Sequence, residues 1–189
     1  MTEIRRILDS EEIDRHLTRI AEEIALHNIT ADKIALIGIM RRGFPLAQRI
    51  ARRLEGLVGA KLLIGSLDIT LYGADHNLID RFPVLNGTDI PFSIRGVSVV
   101  LIDDILYTGK TIHKAMNALL DMGEPEDIQL AAFIDRGRRS FPICADYVGT
   151  KVTSSGLERV ALHLTEVDGT DEVIIEKREL KANEKSDRT

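Results

Sequence analysis

The amino-acid sequence predicts an α/β fold in which a central, mostly parallel sheet is flanked by helices. Short apolar runs that are typical of buried strands, such as 34–39 and 97–102, alternate with amphipathic segments of helical length. Such alternation indicates βαβ units and therefore parallel strands. In sheets of this kind ligands bind at the carboxyl ends of the strands, so the residues that follow each strand are the first candidates for a functional site.

The composition is that of an ordinary globular protein with one domain. The chain has 189 residues, of which 44% are hydrophobic and 29% charged, so it has enough apolar residues to bury a sizeable core. The single cysteine, Cys144, excludes an intrachain disulfide framework and favours a reducing cytoplasm. We therefore expect one domain over residues 1–176 and a charged, poorly ordered tail over 177–189.

Charge and hydropathy narrow the classes of function. The chain carries 25 Lys and Arg residues against 30 Asp and Glu residues, a formal net charge of −5, which argues against a protein that coats nucleic acid through bulk charge. No apolar run approaches the roughly 18 residues that span a membrane, and the first residues lack the apolar stretch of a signal peptide. These patterns favour a cytoplasmic protein with a small-molecule ligand and no membrane partner.

Capping signals and apolar spacing predict the first elements. Asp9 and Glu12 have the spacing of a capping box and precede an apolar stripe, so we expect the chain to open with an amphipathic helix. A buried strand over 34–39 comes next, and Pro45 suits the first turn of a second helix. The apolar positions of these helices are Ile13, Leu17, Ile20 and Ile24 in the first and Leu46, Ile50 and Leu54 in the second.

The remaining elements follow in the same alternating pattern. Residues 61–72 are expected to form a strand, and 73–91, with scattered Gly, Pro, Asp and Asn, a long loop of the kind that often closes over a ligand. The apolar run 97–102 is the strongest strand signal, and a helix at about 111–122 follows it. The other predictions are a strand over 128–134, a basic loop over 136–140, an extended segment over 160–164 and a short final strand over 173–175.

Residues 99–111 carry the strongest chemical signal in the sequence. An apolar strand ends in Asp103 and Asp104, and a short loop with Thr108 and Gly109 then opens a helix. The free N–H groups of a helix N-terminus bind phosphate, and glycine lets the backbone approach it closely. Carboxylates beside that phosphate suit sugar hydroxyls or Mg²⁺. The whole segment therefore predicts a site for a ribose 5-phosphate, although each acid taken alone is also explained as a cap or turn residue.

Two better-known phosphate motifs do not fit this segment. A P-loop would end at Lys110 and Thr111, but Asp104 stands at the position of its first glycine. The dinucleotide fingerprint G-x-G-x-x-G is absent from the sequence. A histidine metal site is not indicated either, because the five histidines are scattered and form no recognisable pair.

The segment 103–111 resembles the phosphoribosyl-diphosphate (PRPP) signature of type I phosphoribosyltransferases, in which two acids at a strand end precede a Thr-Gly-Lys/Arg-Thr loop. Together with 68–72, 135–137 and 145–149 it resembles a bifunctional family that combines uracil phosphoribosyltransferase activity with regulation of the pyrimidine operon. The similarity covers most of residues 9–176. It implies a type I phosphoribosyltransferase-like core with a small hood and a flexible loop.

The resemblance also implies a reaction, in which uracil and PRPP give UMP and pyrophosphate. Mg²⁺ is expected to arrive with PRPP and to be held mainly by the substrate rather than by a metal site of the protein. The positions implied as catalytic are Asp103, Asp104 and Arg42. Those implied as substrate-binding are Arg41, Arg42, Arg81, Asp103, Asp104, Ile105, Leu106, Tyr107, Thr108, Gly109, Lys110, Thr111, Arg136 and Val160.

The chemistry of individual residues supports parts of this set. Arg41 and Arg42 form a doubly charged turn after a strand, which suits pyrophosphate because a guanidinium binds phosphate oxygens in pairs. Arg81 is the only arginine of the long loop and would reach pyrophosphate from there. Arg136 and Val160 are implied in the uracil pocket, where Val160 is also explained as an ordinary core residue.

An RNA-binding regulator that uses UMP as its signal is the alternative from another functional class. The family holds RNA on a basic surface away from the active site, and the matching positions are Thr18, Arg19, Arg138 and Arg139. Three positions depart from that surface, because Glu22 replaces a basic or polar residue, Cys144 an arginine and Thr150 a lysine. An acid in place of a cation weakens phosphate binding directly, so the sequence favours the enzyme over an attenuator with minor enzymatic activity.

Two further points stay open at the level of sequence. A phosphoribosyltransferase for hypoxanthine or orotate is a third hypothesis, since a PRPP-binding loop does not choose the base. The resemblance also implies a homo-oligomer and, as a further partner, an mRNA leader.

Overall fold

The computed structural model of the protein describes residues 3–29, 33–70, 87–155 and 158–177. Within these ranges the strands are β1 (Glu3–Leu8), β2 (Ile34–Ile39), β3 (Leu63–Leu67), β4 (Ser98–Leu106), β5 (Asp127–Asp135), β6 (Tyr147–Lys151), β7 (Glu158–His163) and β8 (Glu172–Lys177). The helices are α1 (Ser10–His27), α2 (Gly43–Val58), α3 (Lys110–Met122) and α4 (Thr165–Asp168). Among these helices, none combines the length and the apolar character that crossing a membrane requires.

A five-stranded parallel sheet in the order β3-β2-β4-β5-β6 forms the centre of the fold. The prediction of an α/β fold with a mostly parallel central sheet is confirmed. β4 is the middle strand and pairs with β2 from Ser98 onward and with β5 as far as Leu106. Because β2 and β4 are adjacent, the loops that follow their carboxyl ends lie side by side, where ligands bind in sheets of this kind.

Helices cover both faces of this sheet and form two apolar cores. Leu36 of β2 lies in the core that α1 and α2 cover, whereas its neighbours Ala35 and Ile37 lie in the core that α3 covers. This alternation is the period-two pattern of a strand with apolar neighbours on both faces. The strand that the apolar run 34–39 predicts is therefore confirmed.

The first helix begins as its sequence indicates. The Asp9 carboxylate accepts a hydrogen bond of 2.9 Å from the Glu12 N–H, and the Glu12 carboxylate accepts one of 2.9 Å from the Asp9 N–H. This reciprocal capping box satisfies N–H groups that a helix start would otherwise leave free. The predicted apolar stripe is buried at Ile13, Leu17, Ile20 and Ile24.

A second sheet of three antiparallel strands, in the order β1-β8-β7, forms the hood. The extended segments expected over 160–164 and 173–175 correspond to β7 and β8. The expectation that the chain opens with a helix is wrong, because β1 precedes α1 and pairs with β8 from Glu3 opposite Lys177 to Leu8 opposite Val173. β1 lacks a strong apolar alternation, and its conformation depends on backbone hydrogen bonds to the other end of the chain.

Several boundaries differ from those expected. β3 occupies only part of the segment 61–72, whose last two residues lie outside the described part of the chain. β4 continues to Leu106, so Asp103 and Asp104 lie within the strand rather than after it. β6 and α4 were not predicted, because both are too short to show a sustained apolar period.

The long loop expected over 73–91 is described only from Gly87 onward. There Ser66 and Asp89 exchange two backbone hydrogen bonds, of 2.8 and 2.9 Å, which fix the end of the loop against β3. Arg81 and the residues 178–189 lie outside the described residues. The proposed domain boundary at residue 176 therefore stays a prediction.

Candidate active site

The turn between β2 and α2 is packed closely against β4. A Cβ on Gly38 would lie 2.4 Å from the Gly43 carbonyl oxygen, and one on Gly43 would lie 2.4 Å from the Ile102 carbonyl oxygen. Both separations are well inside van der Waals contact, so these two positions require glycine. The close approach brings Arg42, which immediately precedes α2, beside the carboxyl-terminal half of β4, whereas Arg41 is exposed and does not line the cavity there.

Asp103 and Asp104 occupy consecutive positions near the end of β4. Asp103 is only 5% exposed, and its carboxylate accepts a hydrogen bond of 3.0 Å from the Asp104 N–H. Burial raises the pKa of both carboxyl groups, and the neighbouring charge of Asp104 raises that of Asp103 further. At Asp104, hydrogen bonding from Asp103 and the positive charge of Arg42 oppose the rise in pKa. The two acids are therefore unlike, since Asp103 is enclosed and Asp104 faces a cation.

Residues 107–109, the phosphate loop, join β4 to α3 and form a helix start without a capping side chain. Gly109 is the N-cap residue and has φ = +85°, a left-handed conformation that favours glycine. The Thr108 hydroxyl lies 3.4 Å from the Lys110 N–H, which is a long hydrogen bond. The first-turn N–H groups of α3 can therefore donate hydrogen bonds to a bound anion.

The basic loop that follows β5 supports the phosphate loop. Arg139 donates hydrogen bonds of 2.9 Å to the Tyr107 carbonyl oxygen and of 2.7 Å to the Asp135 carboxylate. The Thr108 carbonyl oxygen accepts a hydrogen bond of 2.9 Å from the Ser140 N–H. These contacts fix the backbone of the phosphate loop, and they occupy the Arg139 guanidinium inside the protein.

Arg136 connects the phosphate loop to the hood. Its guanidinium carbon lies 4.2 Å from the centroid of the Tyr107 ring. The same guanidinium donates hydrogen bonds of 2.7 Å to the Ser154 hydroxyl and of 3.0 Å to the Glu158 carbonyl oxygen. A cation–π contact and hydrogen bonds to two other segments hold Arg136 in one orientation at the carboxyl end of the sheet.

A cavity of about 210 Å³ lies where the carboxyl end of the sheet meets the hood. Arg42, Asp104, Ile105 and Val160, four of the residues that the sequence predicts to bind substrate, line it together. Val160 is buried on β7 and also lines this cavity. Its position is therefore compatible with both sequence-based interpretations, a core residue and a residue of the base pocket. The other lining residues are Arg159, Ala161, Leu162, His163 and Glu176.

A larger cavity, of about 920 Å³, opens at the opposite, amino-terminal ends of the strands. Its wall includes Ile34, Leu62 and Phe92, and none of the predicted catalytic residues lines it. The larger of these two cavities is therefore not the candidate active site. The smaller cavity is the one that combines charged groups with the carboxyl ends of the strands, where ligands bind in parallel sheets.

The sequence interpretation missed an acidic turn between β7 and β8, defined by Glu166, Asp168 and Asp171. Asp168 accepts hydrogen bonds of 2.9 and 2.6 Å from Nε and Nη2 of Arg42. Arg49 donates to both Glu166 and Asp171, with four hydrogen bonds between 2.5 and 2.9 Å. The spacing of Arg42 and Arg49, about two helical turns, indicates that they share one side at the start of α2, but no local pattern shows which distant acids they contact.

The positions that the resemblance implies for RNA binding differ in their surroundings. Arg19 on α1 donates to two backbone carbonyls of β6 and pairs with a neighbouring glutamate, and Arg139 is bound within the basic loop. Arg138 is exposed and has no hydrogen bond or ion pair to any other described residue. Glu22 and Cys144 are exposed as well, so these departures from the family lie at the surface.

Comparison with known proteins relates most of the chain to one group. The family model for a phosphoribosyl transferase domain matches residues 3–162. A bifunctional protein PyrR of Roseiflexus sp. (strain RS-1) is 53% identical over 165 residues, which cover 87% of this chain and 90% of that relative. A bifunctional protein PyrR of Pelotomaculum thermopropionicum is 48% identical over 170 residues, which cover 90% of this chain and 94% of that relative.

Solved structures share the architecture at low sequence identity. The hypoxanthine phosphoribosyltransferase of Trypanosoma cruzi has a TM-score of 0.71 and 17% identity, with 93% of this chain and 97% of that chain covered. A hypoxanthine-guanine phosphoribosyltransferase from Bacillus anthracis has a TM-score of 0.68 and 20% identity, with 93% and 99% covered. At these identities the likeness concerns the fold alone, and it confirms the predicted core.

Proposed function

Because this chain belongs to the phosphoribosyltransferase family and, within it, to the bifunctional PyrR proteins, we propose that it transfers the phosphoribosyl group of PRPP to uracil, giving UMP and pyrophosphate. The observation that carries the proposal is the cavity in which Arg42 and Asp104 meet Val160 at the carboxyl end of the sheet. It combines a cation for pyrophosphate, a carboxylate for ribose hydroxyls and an apolar wall for a base.

The 5-phosphate of PRPP binds at the N-terminus of α3 in this proposal. The first-turn N–H groups and the helix dipole attract the anion. The hydroxyls of Thr108 and Thr111 and the ammonium group of Lys110 stand at the same helix start and provide further donors. The left-handed conformation of Gly109, which favours glycine, sets the backbone turn that starts α3.

Asp104 is the acid that contacts the ribose, because it lines the cavity and Asp103 is buried. A carboxylate accepts hydrogen bonds from ribose hydroxyls, and its charge stabilises the positive charge that develops at C1′ as pyrophosphate departs. Asp103 acts indirectly, since it accepts the hydrogen bond from the Asp104 backbone N–H and so fixes that segment of β4.

Arg42 binds the leaving pyrophosphate and offsets its growing negative charge. Arg41, beside it, and Arg81, from the long loop, are further candidates for the same anion. The carboxylate of Asp104 is an oxygen donor of the kind that Mg²⁺ accepts, and no group of three or more His, Cys, Asp or Glu side chains among the described residues could hold the ion alone. We therefore propose that Mg²⁺ enters with PRPP, and when bound it supplies positive charge to the pyrophosphate.

Uracil lies against Val160, and Arg136 borders the base pocket from the basic loop. No residue is assigned as a general base. Pyrophosphate is a stable leaving group, so holding both substrates in register and neutralising charge provides the main part of the catalysis.

The substitutions Asp104→Asn and Arg42→Ala test this site. Each is expected to lower turnover by about ten- to a thousandfold, the usual effect of lost electrostatic positioning, measured as uracil-dependent release of pyrophosphate from PRPP. Arg95→Ala is the control, because Arg95 is exposed, pairs with Glu124 and lies before β4, at the amino-terminal end of the strands and away from the site. Unchanged pyrophosphate release in both site variants contradicts the assignment.

The identity of the base is tested in the same assay. Hypoxanthine and orotate replace uracil in turn, at equal concentration and with PRPP in excess. If pyrophosphate is released faster with either of these bases than with uracil, that base replaces uracil as the proposed substrate.

A second proposed function is UMP-responsive binding to an mRNA leader, in a cytoplasmic homo-oligomer. The relatives' designation as bifunctional and the exposed Arg138 support it. The test is the affinity for the leader transcript with and without UMP, across a range of salt concentrations, with light scattering to give the oligomeric state. Weak binding that ignores UMP and depends little on salt contradicts this function, because phosphate contacts release counterions.

A further inference from the structure

The contact between Arg42 and Asp168 leaves part of the guanidinium free. Asp168 accepts hydrogen bonds from Nε and from Nη2, which is a side-on pair. An arginine has five N–H donors, so three of them stay available for another acceptor. Arg42 also lines the cavity that contains Asp104. The ion pair therefore fixes the plane of a guanidinium whose other donors belong to the candidate active site.

Asp168 is itself held in place. Its carboxylate accepts a hydrogen bond of 2.9 Å from the Leu164 N–H, and its own N–H donates one of 2.7 Å to the Leu164 carbonyl oxygen. The hydrogen bonds from Arg42 hold the pKa of the Asp168 carboxyl below its usual value. Asp168 therefore remains a charged acceptor in a defined position at neutral pH.

Arg49 anchors the acidic turn to α2. Its side chain is only 14% exposed and forms paired hydrogen bonds with both Glu166 and Asp171. Ion pairs with this little exposure are screened less by salt than pairs in open solvent. The helix that begins just after Arg42 and the turn that carries Asp168 are thus joined at two points, so the distance between them is fixed.

We propose that Asp168 is a positioning residue, which orients the guanidinium of Arg42 so that its free N–H donors meet the leaving pyrophosphate. The inference rests on the proposed function, because it takes Arg42 as the ligand of pyrophosphate. Asp168 does not touch the substrate in this arrangement. It immobilises the arginine before the anion arrives, so binding does not have to restrict a mobile side chain.

An opposing effect has to be weighed. The negative charge of Asp168 repels pyrophosphate, and if repulsion outweighed orientation, removal of that charge would tighten binding. The side-on geometry favours orientation, because the carboxylate occupies one edge of the guanidinium and leaves the other donors free. The sign of the change in pyrophosphate affinity therefore distinguishes the two effects.

The experiment compares Asp168→Asn with the matched control Glu166→Gln, which removes a carboxylate of the same turn that contacts Arg49 rather than Arg42. Binding of pyrophosphate with Mg²⁺ is measured by calorimetry, and KM is measured separately for PRPP and uracil. Asp168→Asn is expected to weaken pyrophosphate binding and to raise the KM for PRPP by about 5- to 30-fold. The KM for uracil in that variant is expected to change by less than about twofold. All values of the control are expected to change equally little, because Arg49 keeps its paired hydrogen bonds with Asp171 and the turn stays joined to α2.

Unchanged or tighter pyrophosphate binding in Asp168→Asn overturns the proposal. Arg42→Ala separates this failure from a failure of the proposed function, because pyrophosphate affinity that survives loss of Arg42 removes the site assignment itself. Weaker binding in Arg42→Ala with normal binding in Asp168→Asn removes only the positioning role. If Asp168→Asn does not fold, Asp168→Glu keeps the charge but displaces the carboxylate, and wild-type pyrophosphate affinity in that variant overturns the proposal.

Discussion

The guanidinium of Arg136 lies over the ring of Tyr107, with 4.2 Å between the guanidinium carbon and the ring centroid. The contact joins the two loops that follow β4 and β5, the first of which is proposed to bind the 5-phosphate. Arg136 also donates hydrogen bonds to Ser154, which precedes β7, and to Glu158, the first residue of β7. One side chain thereby connects the phosphate loop with the hood.

Arg136→Lys is expected to weaken this connection while it keeps the charge. Lysine has no planar group to stack on the Tyr107 ring, and its single ammonium group does not reproduce the forked hydrogen bonds of the guanidinium. The free energy of unfolding should therefore fall by about 1–2 kcal/mol, and the KM for uracil should rise about tenfold. Denaturant unfolding and steady-state kinetics measure the two effects. Arg138→Lys, two positions away and exposed, is the control. Equal stability of both variants would show that the stacked geometry contributes nothing.

Gly43→Ala is expected to damage the turn that carries Arg42. The added Cβ would stand 2.4 Å from the Ile102 carbonyl oxygen, which belongs to the backbone of the central strand and cannot move aside. We expect a loss of about 1–3 kcal/mol in the free energy of unfolding, together with loss of turnover. In Gly56→Ala, in the same helix, the added Cβ meets no atom from outside its own stretch of helix within 4 Å, so this substitution should stabilise the protein by about 0.5–1 kcal/mol. A similar effect of both substitutions would contradict the role of close packing.

The acidic turn is expected to make stability depend on pH. Hydrogen bonds from Arg49 lower the pKa of Asp171 from 3.8 to about 2. A carboxyl group whose pKa is lower in the folded state stabilises the fold above pH 3.8, and this contribution is lost as the pH falls to about 2. Asp171→Asn should therefore lower the free energy of unfolding by about 2 kcal/mol at pH 7, and the difference from the wild type should vanish near pH 2.

Denaturant unfolding at several pH values measures that difference. Glu124→Gln is the control, because its ion pair with Arg95 is exposed on both sides and is worth little at any pH. A difference between wild type and Asp171→Asn that stays constant from pH 7 to pH 2 would show that the charge of Asp171 is not its source.

Arg138 and Arg139 are expected to have different functions although they are adjacent. The ion pair of Arg139 with Asp135 is mostly buried, with side chains 21% and 15% exposed, and the same guanidinium supports the phosphate loop. Arg139→Ala should lower the free energy of unfolding by about 2–4 kcal/mol and weaken PRPP binding. Arg138→Ala should leave stability within about 0.5 kcal/mol and weaken only the binding of RNA.

Affinity for the leader transcript at several salt concentrations separates the two roles. Loss of one phosphate contact lowers the slope of log affinity against log salt by about 0.7–0.9, which is the change expected for Arg138→Ala. If Arg139→Ala folds normally and changes RNA affinity alone, then the contacts of Arg139 with the phosphate loop are not important for stability.

Features of the fold that depend on neighbouring residues can be predicted from the sequence. The capping box of Asp9 and Glu12, the alternation of strands and helices, and the family resemblance inferred from 103–111 all rest on spacings of a few positions, and the structure and the matched relatives confirm them. Local hydrogen bonds and apolar periodicity depend on residues that are close in sequence, so they can be inferred without the structure.

Contacts between distant residues, in contrast, become apparent only in the folded protein. The pairing of β1 with β8, the contact of Arg42 with Asp168 and the enclosure of Arg139 each join segments that are far apart or lack a periodic signal. Such contacts result from the way separate segments pack together, which depends on the whole chain. The phosphate loop could therefore be predicted from its own residues, whereas the partner of the arginine proposed to bind pyrophosphate could not.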